Sequence, residues 1–550
     1  MHHKPLRASL NYLLRTPMSE PSELEHQLET NLAQLSEAKF VDRLWQRDGT
    51  LFARPGDDQG TARAVRNRLG WLFSLPAVRD QVEALAVFAR VVERHRFDRV
   101  VVVGMGGSSL WPEVVGRHLR GKRGLPVIVA DSIHPVAIGE LVEQCRAGKP
   151  LFVISSKSGT TLETMSLYRH LRGIWPSGDQ FVAITDVGSA LHQLARTENF
   201  REIFTTPADV GGRYAATTLI GVVPAVLTGV VLQDALQRAQ EMLDACREPD
   251  PRLNTGALLG AWLAAGVQTG RDRVVLALSK DLRAFGSWLE QLIAESSGKN
   301  GMGLMPLTGA VAGTGTALAD RLRHCLVVGI GTFAHPDDDF LDRSRDAAVP
   351  EHSDVLPEVA DLWGETVRWQ FAMTVCGYLL GVNPYDEPDV AVTKELTQAI
   401  LRGERQPAEV YASIRVTSLA ALPAAVPAEF LQGGENSALT VLAWLAPNSA
   451  NSQRLDALRA NLTAKINAPV AVQVGPRYLH ATGQLHKGGR QGHRYLIVVD
   501  TTAAHDLQQP ETPAAFAQLL RAQALADASV LVERGNSVVW ADLAPAPKAA

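Results

Sequence analysis

Short apolar runs alternate with amphipathic stretches along most of the chain. The runs are rich in Val, Ile and Leu and four to six residues long, which predicts strands buried on both faces of a parallel sheet. Between them apolar residues recur every three or four positions, the period of a helix packed on such a sheet. In the first half the predicted strands are 99–103, 126–130, 151–154, 181–185 and 203–206, and the predicted helices include 110–119, 136–145 and 217–243.

A second cycle of the same kind follows, with fewer recognisable strands. Its predicted strands are 273–278 and 325–330, and its predicted helices are 253–267, 285–295, 362–380 and 392–401. Ala, Pro and a Gly pair dominate residues 403–437, which predicts a linker or surface crossing. The alternation then resumes, with a strand at 495–499.

This alternation predicts an α/β chain of four regions. We expect N-terminal helices at 1–95, α/β units at 96–248 and 249–403, and a linker with a C-terminal α/β region at 404–550. Residues 1–20 and 544–550 are expected to be loose termini.

Composition narrows the class of protein. With 46% apolar and 20% charged residues, the 550-residue chain is typical of a soluble enzyme. A net charge of −4 without a dense Lys/Arg run argues against nucleic-acid binding. The most apolar stretch, 215–232, contains polar residues and a proline, which argues against a membrane span. The four cysteines lie far apart with no CxxC pair, which indicates reduced thiols in a cytoplasmic protein, not a disulfide framework or a zinc site.

A Ser/Thr-rich turn follows the predicted strand 151–154. Residues 155–161 read SSKSGTT and precede a helical pattern, so hydroxyls and Gly159 stand at a predicted helix N-terminus. Such a terminus carries unpaired N–H groups and favours an anion, and a phosphate cradle is therefore one interpretation. Ser and Thr also cap ordinary helices, and the stretch alone leaves both interpretations open.

A glycine turn follows the first predicted strand. Residues 104–109 read GMGGSS, with three glycines in four positions. A dinucleotide-binding turn would have a third motif glycine where Ser109 stands, although an acidic residue, Asp131, does follow the second strand. An NAD(P)-dependent oxidoreductase is therefore kept as an alternative.

Five segments together resemble those of the glucose-6-phosphate isomerase family, most closely the isomerase part of its fusions with transaldolase. They are the glycine turn with Leu110-Trp111-Pro112, SKSGTTLET at 156–164, GGRYA at 211–215, QLIAESSGK at 291–299 and NPYDEPDVAVTK at 383–394. The resemblance implies two αβα-sandwich sugar-isomerase (SIS) subdomains with parallel central sheets, plus the N-terminal helices and the C-terminal α/β region. It assigns phosphate and substrate binding to these residues: Ser156, Ser158 and Thr161, with Lys157 and Thr160 beside them, Gly106, Gly107, Ser108 and Gln291.

The same resemblance implies the catalytic residues. Glu295 is the expected base, and Gln291 one helical turn earlier would face the same ligand. Arg213 would stabilise a developing enediolate, and Lys394 is the matching active-site lysine. The family's catalytic histidine has no counterpart between Glu295 and Lys394; the closest setting is HATGQLHKGG at 480–489, so the role is carried to His480. His486 is the runner-up.

One departure from the family pattern concerns Glu387, which replaces a substrate-contacting glutamine. A carboxylate cannot donate the hydrogen bonds of an amide. A second departure is the late position of the histidine, which requires the C-terminal region to reach the active site from the same chain or from a neighbouring subunit.

The activity implied by the resemblance is interconversion of glucose 6-phosphate and fructose 6-phosphate through a cis-enediolate, a step of glycolysis and gluconeogenesis. The expected partners are a hexose phosphate and a second copy of the chain, with no metal, no cofactor, no nucleic acid and no membrane. A non-catalytic sugar-phosphate-binding SIS protein, which would keep the phosphate loop and lose the base, is the other alternative.

Overall fold

Three all-parallel sheets organise the computed structural model, which describes residues 22–54, 59–308, 311, 314–333, 335, 339–434, 437–500 and 513–544. Of the predicted loose termini, 1–20 and 544–550, all residues except Ala544 lie outside the described residues. The chain begins with the helices α1 Glu23–Glu37, α2 Phe40–Trp45, α3 Gln59–Arg66, α4 Leu75–Arg79 and α5 Val82–Arg94. Ser22 caps α1 with a capping box to Glu25, and the buried Leu32 and Leu35 confirm the predicted helical face.

The first sheet has the strand order β2-β1-β3-β4-β5. Its strands are β1 Arg99–Val103, β2 Val127–Ala130, β3 Pro150–Ser155, β4 Phe181–Asp186 and β5 Glu202–Thr206, and its helices are α6 Gly107–Val114, α7 Pro135–Arg146, α8 Leu162–Ile174, α9 Ala190–Thr197, α10 Leu219–Leu227 and α11 Leu232–Ala245. The single helix predicted over 217–243 is wrong. Gly229, at φ +75°, takes the left-handed conformation that ends a helix and separates α10 from α11.

The second sheet has the order β7-β6-β8-β9. Its strands are β6 Arg273–Leu278, β7 Met305–Thr308, β8 Cys325–Thr332 and β9 Glu351–Leu356, and its helices are α12 Thr255–Gln268, α13 Arg283–Ser297, α14 Gly315–Arg321, α15 Asp339–Asp346, α16 Leu362–Leu379 and α17 Val390–Leu401. Every residue of α16 except Tyr378 is buried, and its charged residues Glu365 and Arg368 pair with each other at 3.1 Å. Helix α16 is therefore a central core element.

The third sheet has the order β10-β14-β13-β11-β12. Its strands are β10 Ala412–Val416, β11 Leu439–Trp444, β12 Val470–Val474, β13 Arg494–Asp500 and β14 Ser537–Leu543, and its helices are α18 Leu422–Ala425, α19 Ala428–Gln432, α20 Ser449–Ile466, α21 Gly483–Gly488 and α22 Pro513–Glu533. The prediction that residues 403–437 form a linker or surface crossing is wrong, because they contribute β10, α18 and α19 to this unit.

The C-terminal unit packs against the first sheet rather than standing apart. Phe152 of β3 and Trp444 of β11 belong to one buried apolar cluster, together with Tyr478 and Phe516. The predicted α/β class, with parallel central sheets, N-terminal helices and a C-terminal α/β region, is confirmed. Within the described part of the chain, none of the helices combines the length and apolar character that crossing a bilayer requires.

Candidate active site

The glycine turn and the Ser/Thr loop (residues 155–161) leave the first sheet side by side. Strands β1 and β3 are paired neighbours, so the loops that follow their carboxyl ends meet at one edge of the sheet. A Cβ added to Gly104 would lie 2.9 Å from the carbonyl of Ser155. The two motifs that sequence analysis treated separately therefore form one rim.

The Ser/Thr loop is closed by hydrogen bonds among its own hydroxyls and amides. Gly159, at φ +68°, donates its N–H to Ser156 Oγ at 3.1 Å, and Ser156 Oγ lies 3.2 Å from Thr161 Oγ1. Ser158 and Thr160 are exposed, with their hydroxyls 2.8 Å apart. Thr161 is the N-cap residue of α8, yet its side chain accepts no hydrogen bond from the helix. The loop therefore presents hydroxyls at a helix N-terminus instead of using Thr161 to cap it.

Lys157 has partners outside this loop. Its Nζ donates to Asp186 Oδ1 at 2.6 Å and to the carbonyl of Pro207 at 2.9 Å. The structure thus gives Lys157 a role in joining the loop to the ends of the neighbouring strands, and its part in phosphate binding stays a prediction.

The glycine turn brings helix α13 and the C-terminal segment close to the sheet. Gly106 has φ +56°, and an added Cβ would lie 2.7 Å from Gln291 Nε2 and 2.8 Å from the carbonyl of His480. A Cβ on Gly107 would overlap the carbonyl of Gly212. Ser108, also predicted to bind substrate, is buried at the start of α6. Glycine is required here because other parts of the site approach the turn.

Asp131 is already paired with an arginine and is not available to bind the ribose of a nucleotide. Its Oδ2 lies 3.3 Å from Arg477 Nη1, and Arg477 also pairs with Glu113. The carboxylate on which the oxidoreductase alternative depends is thus part of a buried ion-pair cluster between the first sheet and the C-terminal unit. Among the residues described, no cluster of three or more His, Cys, Asp or Glu side chains is placed to hold a metal ion.

Gln291 and Glu295 lie on one face of α13, as their spacing predicts. Gln291 Nε2 donates to Glu295 Oε2 at 3.1 Å and to the carbonyl of His480 at 2.9 Å. Its Oε1 is buried and has no hydrogen-bond partner among the described residues. Burial raises the pKa of Glu295 to about 7, against the opposing charge of Arg213. A buried carboxyl with this pKa can both take and return a proton near neutral pH.

Arg213 connects Glu295 to the loop before α17. Its Nη1 lies 3.4 Å from Glu295 Oε2 and 3.0 Å from Glu387 Oε2. Its Nη2 donates to the carbonyls of Pro384 and Asp386 at 2.7 and 2.9 Å. Nε completes the set with Ser296 Oγ at 3.2 Å. The guanidinium is therefore buried and fixed in direction beside the expected base.

His480 reaches this cluster from the C-terminal unit. Its Nε2 lies 2.9 Å from Oε1 of Glu163 in the first turn of α8, and Gln523 Nε2 of α22 donates to the same oxygen at 2.6 Å. Burial acts to raise the pKa of Glu163, but His480 and the hydrogen bonds hold it at about 2. Because an ionised carboxylate only accepts hydrogen bonds, Nε2 of His480 carries the hydrogen. Nδ1 is then the ring nitrogen that can take up and release a proton.

The two lysines of the family motifs have different surroundings. Lys394 is exposed on α17, and among the described residues it forms no hydrogen bond or ion pair. Lys299 is buried, donates to the carbonyl of Asn383 and pairs with Asp386 Oδ1 at 3.3 Å. Burial and the charge of Arg213 lower the pKa of Lys299 to about 7. The lysine that the structure brings to Arg213 is thus Lys299, and the role of Lys394 stays a prediction.

Three residues of this arrangement were not selected by sequence reasoning. Glu163 follows the Ser/Thr loop by two positions, and its place in a predicted first helical turn was a usable signal for a polar role there. Lys299 closes the segment that resembles the family motif, but a lysine gives no sign of burial. Gln523 lies within a long helix far from every motif, and nothing in the sequence marks it.

The chain is similar to known sugar-phosphate isomerases. A family model for phosphoglucose isomerase matches residues 90–305. The glucose-6-phosphate isomerase of Cyanothece sp. is 30% identical over 380 residues, covering 60% of this chain and 71% of that protein. The glucose-6-phosphate isomerase of Nostoc punctiforme is 27% identical over 423 residues, covering 67% and 77% of the two chains.

Solved structures show the same fold at lower identity. A hypothetical protein from Thermus thermophilus superposes with a TM-score of 0.55 at 20% identity, covering 69% of this chain and 98% of that one. A glucose-6-phosphate isomerase from Chlamydia trachomatis gives a TM-score of 0.54 at 18% identity, covering 68% and 86%. On the extent of its similarity to the Cyanothece protein, the chain belongs to the glucose-6-phosphate isomerase family.

Proposed function

We propose that the chain interconverts glucose 6-phosphate and fructose 6-phosphate through a cis-enediolate. The observation that carries this proposal is the convergence of Glu295, Arg213 and His480, linked through Gln291, beside the Ser/Thr loop. An aldose–ketose isomerase needs one base for C1 and C2, a positive group for the enediolate oxygens, and an acid–base group that opens the ring. Each of the three side chains suits one of these tasks.

The Ser/Thr loop binds the phosphate in this proposal. Ser156, Ser158, Thr160 and Thr161 supply hydroxyls, and the first turn of α8 adds N–H groups and a partial positive charge. Binding energy from this remote group holds the reacting carbons in register with Glu295. The glycine turn, through Gly106, Gly107 and Ser108, forms the opposite wall.

Glu295 transfers the proton between C1 and C2. Burial raises its pKa to about 7, which favours a group that must act as base and then as acid near neutral pH. The enediolate carries new negative charge on oxygen, and the fixed guanidinium of Arg213 stabilises it without reorganising. The unpartnered Oε1 of Gln291 is available to accept a hydrogen bond from a sugar hydroxyl.

His480 opens the cyclic sugar by moving protons at the ring oxygen and the anomeric hydroxyl. Glu163 fixes the orientation and tautomer of its ring, as a carboxylate does in other acid–base histidines. Lys394 is retained as a second participant on the basis of the resemblance, although it lies exposed on α17. Lys299 instead anchors the 383–387 loop.

Further parts of the proposal concern the state of the protein in the cell. We infer a homodimer from the family resemblance, and a cytoplasmic location from the resemblance together with the free cysteines. The four cysteines are free and buried.

A coupled assay tests the proposed function. Purified chain, fructose 6-phosphate, NADP and glucose-6-phosphate dehydrogenase should give NADPH at a rate proportional to the chain. Omission of the dehydrogenase should abolish NADPH formation, since an oxidoreductase acting on its own would still produce it. Binding of a sugar phosphate without turnover would instead identify a non-catalytic binding protein.

A further inference from the structure

Glu387 stands where the family motif usually has a glutamine, and its carboxylate enters the cluster around the base. Glu387 Oε2 and Glu295 Oε2 lie 3.0 and 3.4 Å from one nitrogen, Nη1 of Arg213. The other two nitrogens of the guanidinium are bonded to Ser296 and to two backbone carbonyls. The two carboxylates therefore share one nitrogen, Nη1, of the Arg213 guanidinium.

The charges around this end do not balance. One guanidinium faces two carboxylates, while the nearby Lys299 is matched by Asp386 at 3.3 Å. The Glu387 side chain is 47% exposed and that of Glu295 is 10% exposed, so water supports the charge of Glu387 far better. Burial acts to raise the pKa of Glu387, but Arg213, Lys299 and Arg68 hold it below the ordinary value. Any proton held by the pair therefore resides on Glu295.

We propose that Glu387 is a positioning residue for the catalytic base, acting by placing a second negative charge on the guanidinium that Glu295 also binds. The inference rests on the proposed function and explains why a carboxylate can replace the family's amide. An amide would leave Arg213 fully available to Glu295 and would make that carboxylate a weaker base. The carboxylate makes Glu295 more basic, at the expense of part of the positive charge that Arg213 offers the enediolate.

Other charged groups that face Glu295 are few. Arg213 contacts it from the segment before α10, and His480 faces it from the C-terminal unit; both favour its ionised form. Glu163 lies beyond His480 and is paired with it. Among the described residues, Glu387 is thus a negatively charged group that opposes ionisation of Glu295, so its removal should lower the pKa of Glu295.

The pH profile of kcat/KM for fructose 6-phosphate tests this role. The rate rises with pH as Glu295 loses its proton. The substrate phosphate is the same in every assay, so a difference in acid-side pKa between the unaltered chain and a variant reports the enzyme group. Glu387→Gln should lower that pKa by about one unit, because a like charge within a few ångströms disappears. Glu387→Asp keeps the charge and should keep the acid-side pKa near that of the unaltered chain.

Each outcome distinguishes tuning from a purely structural role. A Glu387→Gln enzyme that loses activity equally at every pH, with an unchanged acid-side pKa, would overturn the proposal, as would an equal shift in Glu387→Asp. If Glu387→Gln fails to fold, Glu387→Ala removes the same charge from this half-exposed position and is judged by the same shift. Absence of isomerisation by the unaltered chain would refute the proposed function instead, which is a separate result.

Discussion

Two histidines six residues apart in the C-terminal segment have very different surroundings. The side chain of His480 is 15% exposed and faces Glu163 at 2.9 Å. His486 is 1% exposed, and its ring lies between those of Tyr478 and Tyr495, with centroids 5.8 and 5.2 Å away. Burial lowers the pKa of His486 well below its ordinary value, so this ring stays neutral in the core. At the scale of single residues, burial and one carboxylate thus distinguish the proposed acid–base histidine, His480, from the packed His486.

Substitution of the two histidines should separate these roles. His480→Asn should reduce turnover of cyclic glucose 6-phosphate far more than turnover of a sugar phosphate too short to close any ring, because only the former needs ring opening. His486→Asn should lower the melting temperature and affect both substrates alike. The measurement is the ratio of kcat values for the two substrates in each variant. Substrate selectivity in His486→Asn but not in His480→Asn would contradict the assignment.

At the scale of elements, the glycine turn joins three parts of the site. Its residues follow β1, begin α6 and leave room for Gln291 of α13 and the backbone of His480. Glycine is favoured at position 106 for two separate reasons: the positive φ of the backbone and the lack of space for a side chain. Gly188 also has a positive φ, +77°, but an added Cβ there would meet nothing within 4 Å. Gly188→Ala therefore serves as a control in which alanine takes a positive φ without crowding a neighbour.

Gly106→Ala should lower kcat strongly, whereas Gly188→Ala should leave it near that of the unaltered chain. Both substitutions force alanine to a positive φ, which costs about 1–2 kcal/mol in folding free energy in the left-handed helical region. With ψ at −127°, Gly106 lies outside that region, so we expect the larger loss of folding free energy in Gly106→Ala. Only the first pushes Gln291 and His480 away from Glu295. The check is kcat together with the unfolding free energy of both variants. An equal effect on kcat would mean that the turn matters only for stability.

Strands with a continuous apolar run were the most predictable, although the partly exposed β5 was also predicted and the fully buried β11 was not located. Strand β1 (RVVVV) is entirely apolar after its first residue and was found at its full length. Strands β7, β9 and β10 were missed: β7 is short and contains Pro306, β9 (EHSDVL) is mostly polar, and β10 lies within an Ala/Pro-rich stretch. These segments become strands because they pair with neighbouring strands of the sheet, and that tertiary pairing is not visible in the local sequence.

The site could be predicted only as far as its motifs extend. Glu295 and Gln291 meet because helical spacing brings residues four apart together. The contact of Gln523 with Glu163 joins residues 360 positions apart, and only the packing of α22 beside the first sheet produces it. The burial of Lys299 and the exposure of Lys394 likewise depend on how the loop at 383–387 folds back on Arg213.

At the scale of the whole molecule, one chain brings all of these groups together. His480 enters from the C-terminal unit, and the segment that carries it is held by Gln484, whose Nε2 donates to the carbonyl of Gly298 at 3.0 Å. Lys487 and Asp527, both fully buried, pair at 2.6 Å within that unit. The third sheet therefore supports His480 within the same chain. The late position of this histidine in the sequence had also allowed it to come from a neighbouring subunit.

Mixing two inactive variants tests whether the site lies within one chain. Glu295→Gln and His480→Asn, unfolded and refolded together to allow subunit exchange, should show no more activity than the sum of the two alone. If the histidine came from a neighbouring subunit, random mixed dimers would restore about a quarter of the sites. Recovery near that level would contradict the arrangement within one chain, and refolded unaltered chain serves as the control for yield.

Glu295 is proposed to move the proton between C1 and C2, and incorporation of deuterium at C2 in heavy water tests this role most directly. Glu295→Gln should fold, bind a non-reactive sugar phosphate, lose turnover by a factor of about 10²–10⁴ and incorporate no deuterium. Glu290→Gln is the matched control: burial also raises the pKa of Glu290 to about 7, but this side chain faces Thr308 at 3.4 Å instead of Arg213. We expect near-normal exchange in Glu290→Gln and none in Glu295→Gln. Near-normal exchange in Glu295→Gln would contradict the proposed role of Glu295.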